Sequence, residues 1–151
     1  MEEIFVKKRV VFCVIGLVIF VLILAISISN DLMAKNVVKK IEDTPLPERT
    51  EYVESVYLAG KLVGNGNGMQ YFGAILIKSE QSLDELMKYY EDYNDDNWQF
   101  FVEKQRDNII QIIEHGNLSF KANINSDTDY YIVYSWGEGN SLFSDLDIRG
   151  H

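Results

Sequence analysis

The chain is 151 residues long, carries 23 acidic against 14 basic side chains for a net charge of −9, and has one cysteine and two histidines. From Asn30 onward the count is 21 acidic to 11 basic, which excludes a nucleic-acid partner, whose phosphates demand clustered Lys and Arg, and a domain lying flat on anionic lipid. A single cysteine allows no intramolecular disulfide, so an exported domain must be held by its core, as in bacteria that export disulfide-free proteins.

Residues 1–9 end in Lys7, Lys8 and Arg9, and residues 10–28 follow without one charged side chain. About 19 residues at ~1.5 Å rise give roughly 28 Å of helix, enough to cross a hydrocarbon core of ~30 Å. Val10, Gly16, Phe20, Leu24 and Ile28 are expected to face lipid, because the run is apolar all round and so unlike an amphipathic core helix. Gly16 is followed four residues later by Phe20, so no GxxxG dimer face exists, and no polar group suited to transport interrupts the run. A cleavable signal peptide is the competing reading, with Ser27 and Ser29 ahead of Asn30. The run exceeds the usual h-region of roughly 7–15 residues, so residues 10–29 read as a retained signal anchor. Cys13 lies near the start of the run, which excludes a lipoprotein. Lys35, Lys39 and Lys40 nearly balance the N-terminal triplet. The triplet abuts the run, and this favours a cytosolic N-terminus with the C-terminal domain outside.

Residues 30–50 read as a stem, with 35–41 carrying the helix on for two turns until Pro45 and Pro47 impose extended geometry. The domain is expected to occupy 51–151. Strands are predicted over 51–63 and 69–78, and the intervening Gly64, Asn65, Gly66, Asn67 and Gly68 form a turn signal built on residues tolerant of positive φ. An anion-binding nest is disfavoured, since neither a Lys-Ser/Thr nor a helix follows. Five such residues exceed what a hairpin needs, so Asn65 and Asn67, flanked by Met69 and Tyr71, form a candidate recognition edge.

The segment AGKLVGNGNGMQYFGAILIKS, residues 59–79, followed by SLDELMKYY, resembles uncharacterised small membrane-anchored exported proteins of Gram-positive bacteria. The resemblance covers residues 59–90. It implies a bacterial, membrane-anchored protein and supplies no activity.

A helix is predicted over 82–93, opened by a capping box of Ser82 with Glu85 and packed through Leu83, Leu86, Met87 and Tyr90. It runs into an acidic stretch in which Asp92, Asn94, Asp96 and Glu103 fall at positions one, three, five and twelve of a calcium loop. Asn97 stands where such a loop needs Gly, and 98–104 alternates as a strand, so a solvated turn is the preferred reading over calcium. Further strands are expected over 109–114, 118–125 and 130–136, with a turn at 126–129; four isoleucines in 109–113 favour sheet over helix. The fold class is thus α+β: one transmembrane helix, then an antiparallel sheet of about six strands, the last four a meander, with one helix on one face. Tyr52, Tyr57, Tyr71, Tyr131, Trp98, Phe101 and Trp136 are too many to hide under one short helix, so the other sheet face is a candidate binding surface.

No catalytic constellation emerges. His115 sits in a turn, His151 is the last residue of the sequence, and Ser141 lacks a nucleophile elbow. No cofactor is implied. The expected function is non-enzymatic: an anchored, acidic, extracytoplasmic domain that binds a protein or envelope component. The alternatives are a membrane-anchored immunity protein against an exported toxin, which the acidic face would suit, and a calcium-binding exported domain.

Overall fold

The computed structural model describes residues 2–124, 129–137, 141 and 143–151, with side chains from Val6 onward. Helix α1 runs unbroken over Glu2–Glu42, 41 residues, or roughly 60 Å at ~1.5 Å per residue. Its N-terminal half is long and apolar enough to cross a membrane, and Val10, Phe20, Leu24 and Ile28 all stand exposed. The space around Gly16 is open.

Beyond Ile28 the helix changes character without breaking. Asn30, Ala34, Val37, Val38 and Ile41 are buried, and their three- and four-residue spacing turns a single face of the helix inward. The stretch expected as a stem is therefore helix as far as Glu42 and a wall of the core. Interleaved Lys35, Lys39 and Lys40 give it the look of a solvated segment, while the inward stripe lies between them. Asp43 and Thr44 close the last turn through bonds to the Lys39 and Ile41 carbonyls at 2.9 and 3.1 Å, and Pro45, lacking an N–H, cannot continue it.

Strand β1 spans Thr50–Gly60 and β2 Gln70–Ser79; helix α2 follows at Leu83–Glu91, then β3 at Phe101–Lys104 and β4 at Tyr130–Trp136. The predicted capping box is present, with the Ser82 and Glu85 side chains each receiving the other's backbone N–H. The strands form one antiparallel sheet in the order β1-β2-β4-β3.

The sheet has four strands where six were expected, and its last strands are no simple meander, since β4 inserts between β2 and β3. The reason is burial. β2 is apolar on both faces and β4 nearly so, which suits central positions, whereas β3 carries Glu103 and Lys104 and suits an edge. In the segment expected to give strands over 109–114 and 118–125, only an isolated bridge forms, Ile109 to Ser119. Its isoleucines mark burial and not extension. The expected turn at 126–129 and the end of that strand, Asn125, fall largely outside the described residues.

Both faces of the sheet are covered. On one, Tyr71, Ile75, Ile77, Tyr131 and Val133 pack against α1 and α2 through Val37, Ile41, Leu86 and Tyr90. On the other, Phe72, Ala74, Leu76, Ile132 and Tyr134 pack against Ile110, Ile113, Phe120 and Ile124. Glu54 of β1 fastens this second cover, accepting the backbone N–H groups of Lys121 and Ala122 at 2.8 Å each. The helix is brought close to the sheet by two glycines. A Cβ on Gly73 would lie 2.7 Å from the Val38 nitrogen, and one on Gly137 would lie 2.8 Å from Val37 Cγ2.

Candidate functional site

The densest polar cluster forms where α1 leaves its apolar run. Asn30, the second residue after Ile28, is fully buried, and both polar atoms of its side chain are hydrogen-bonded. Oδ1 accepts from the Tyr71 hydroxyl at 2.9 Å and the Ser141 hydroxyl at 2.6 Å, while Nδ2 donates to Asp147 Oδ2 at 2.8 Å. Asp147 lies between two single-turn 3-10 helices, Ser144–Leu146 and Ile148–Gly150, and is 2% exposed. Its carboxylate takes bonds from the backbone N–H, Nε and Nη2 of Arg149. Arg149 also reaches α1, donating to Asp31 Oδ1 at 2.7 Å and to the Ser27 carbonyl at 3.0 Å.

The Arg149 guanidinium, helped by Asn30, holds the Asp147 carboxyl at about 2 against the opposing pull of burial. The hydrogen bond and charge of Asp147, with those of Asp31, raise Arg149 in return. Asp147 and Arg149 are thus held as an ion pair near neutral pH, and the cluster is a clasp between the helix and the tail. The sequence reading missed it, taking Asn30 for stem. The available signal was local: an Asp two residues before an Arg can cap that residue's backbone N–H in an Asx turn.

The candidate binding residues do not assemble into one surface. Asn65 and Asn67 are exposed in the β1–β2 loop. Met69 is buried against Gly150, and Tyr71 belongs to the clasp. Trp98 is buried with the Lys40 ammonium 4.0 Å from its ring centre. Tyr131, also buried, donates to the Gln81 carbonyl at 3.0 Å, and Trp136 packs half-buried on Phe72 from the other face. No open aromatic sheet face remains among the described residues, because α1 joins α2 over Tyr71 and Tyr131 while Ile110, Ile113, Phe120 and Ile124 cover the opposite face.

The loop that carries Asn65 and Asn67 is wider than a two-residue hairpin. Gln70 Oε1 accepts the N–H groups of Leu62 and Val63, the Gly64 N–H goes to Glu114, and Gly64 and Gly68 take positive φ.

The calcium set is also dispersed. Asn94 Oδ1 is taken by the Phe100 N–H at 2.7 Å, and Glu103 accepts from the Tyr134 hydroxyl at 2.7 Å within β3. Asp92 caps α2, and Asp96 is exposed. Among the described residues no three His, Cys, Asp or Glu side chains gather as a metal site.

The sheet is open at its β3 edge. Phe101, 39% exposed, stacks on Tyr134 with ring centres 5.2 Å apart. Beside it runs a groove of about 440 Å³ lined by Met87, Glu91, Asn94, Phe101 and Glu103. Burial, and then the Glu103 carboxylate bonded to it, push the Tyr134 phenol upward, so it stays neutral and leaves Glu103 as the charged rim. The β3 edge thus presents an exposed aromatic between acidic side chains on a strand paired along one side only. Comparison with family models, curated proteins and solved structures finds no match for this chain.

Proposed function

We propose that this protein is a non-enzymatic, single-pass membrane protein with its N-terminus in the cytosol, which presents an acidic extracytoplasmic domain to a protein or envelope partner through the β3 edge. The unbroken α1 is the observation that carries the reading. A helix whose first half suits lipid and whose second half is a wall of the domain core supports a retained anchor over a cleaved signal, since cleavage after Ser29 would remove the Ser27 carbonyl that holds Arg149. The resemblance of residues 59–90 to exported proteins of Gram-positive bacteria agrees with this placement.

The test uses the full-length chain in its native membrane with a photoreactive phenylalanine analogue at Phe101 or at Tyr57, which is exposed on the opposite edge. A discrete adduct from Phe101 alone is the expected result. Equal labelling from both sites, or none from either, overturns the reading.

The acidic balance beyond Asn30 supports a second reading, an immunity protein against an exported basic toxin. A tight complex with a basic protein encoded next to it, dissociated by salt, distinguishes this from an envelope-binding module.

A further inference from the structure

We propose that the tail segment 143–151 is a second lipid-contacting element, seated in the headgroup region of the bilayer that α1 enters. The inference rests on the membrane reading of α1 and adds an attachment point to it. The chain path sets the level of the tail. α1 carries the chain away from its apolar run to Glu42, and β1 brings it back, with Tyr52 and Ser55 beside Glu42 at the far end and Gly60 beside Arg149 at the near end. The 3-10 turn Ile148–Gly150 therefore lies at the near end, and Arg149 bonds the carbonyl of Ser27, within the apolar run itself.

At that level the tail exposes apolar side chains. Ile148 is 83% exposed, Leu146 64% and Phe143 42%. Among the described residues beyond α1, Ile148 and Leu146 are the two most exposed large apolar side chains, and they lie at the end of the domain where lipid would be. Exposed apolar groups beside a lipid-facing helix continue its apolar surface outward, and interfacial segments bind by such partial burial. Arg149 pairs with both Asp147 and Asp31, which leaves a single negative charge among the three groups. Within 143–151, Asp145 adds one acid without a salt bridge among the described residues. Contact is therefore apolar and does not require anionic lipid. Its effect is to orient the domain: two attachment points fix which way the β3 edge faces, where one helix alone would leave it free to rotate.

The experiment reconstitutes the full chain into zwitterionic vesicles and attaches an environment-sensitive fluorophore at single cysteines. Ile148→Cys and Leu146→Cys are made in a Cys13→Ser background, Glu48→Cys serves as the far-end control, and the native Cys13 reports on the span. The expected result is blue-shifted emission at 146 and 148, lost when the lipids carry a nitroxide near the headgroup. Glu48 stays unquenched, and Cys13 is quenched by a nitroxide near the chain ends. Unquenched emission at both 146 and 148 with Cys13 quenched overturns the proposal and spares the anchor. A blue shift without nitroxide quenching, the signature of a second copy covering the tail, overturns it too. An unquenched Cys13 overturns the membrane reading and the tail contact together.

Discussion

Asn30 and Asp147 stand 117 residues apart in sequence and 2.8 Å apart in space, both buried, joining the exit of the long helix to the tail. Asn30→Ala leaves the Tyr71 hydroxyl and the Asp147 carboxylate short of a partner inside the protein. The expected loss is about 2 kcal/mol, the usual penalty for orphaning buried polar groups. Denaturant unfolding in detergent micelles measures it. Tyr71→Phe should cost about 1 kcal/mol, and the double variant less than the sum, because both remove the same bond.

The same clasp sets an acid limit. The folded Asp147 carboxyl ionises at about 2 against an ordinary 3.8. A lowered folded value means that its contribution, about 2 kcal/mol, is fully present above pH ~4 and is lost as the pH falls towards ~2. Thermal unfolding between pH 5 and 2 should show this descent in the parent chain. Asp147→Asn should start lower and descend less steeply.

Gly73 sits where α1 passes close to the sheet, so Gly73→Ala drives a Cβ to 2.7 Å from the backbone nitrogen of Val38. Backbone cannot yield as a side-chain end can, and the expected loss is about 1–3 kcal/mol. Gly16→Ala, with open space around it, is the control and should leave the unfolding midpoint unchanged.

Glu54 holds the irregular cover of the second sheet face by two backbone bonds. Glu54→Ala should speed hydrogen exchange at the Lys121 and Ala122 amides while leaving the β2 and β4 amides slow, since local opening precedes global unfolding. Equal acceleration across the sheet would show that Glu54 supports the whole domain.

Much of the fold was legible because its signals are local. The capping box at Ser82 and Glu85, the aromatic and β-branched run of Tyr130–Trp136 and the proline stop at Pro45 each depend on neighbours within a few residues. The isoleucines of 109–113 misled because a buried loop and a buried strand have the same composition, and backbone pairing decides between them. The clasp and the β3 groove were illegible for a different reason. Each joins residues from distant segments, as Asn30 joins Asp147 or Phe101 joins Tyr134, and no periodicity encodes that pairing. Trp98, Tyr71 and Tyr131 were expected on an open binding face and are buried instead, in the cluster that the far half of α1 shares with α2.

That helix has a mechanical consequence. Between Ile28 and Glu42 it has no proline, no glycine and no break, so nothing there absorbs a change of angle. Fourteen residues at ~1.5 Å make an arm of roughly 21 Å, and a tilt of about 10° of the span would swing its far end by about 4 Å. Placed in a bilayer, the domain is a lever: thinning or thickening of the lipid becomes displacement of the groove beside Phe101.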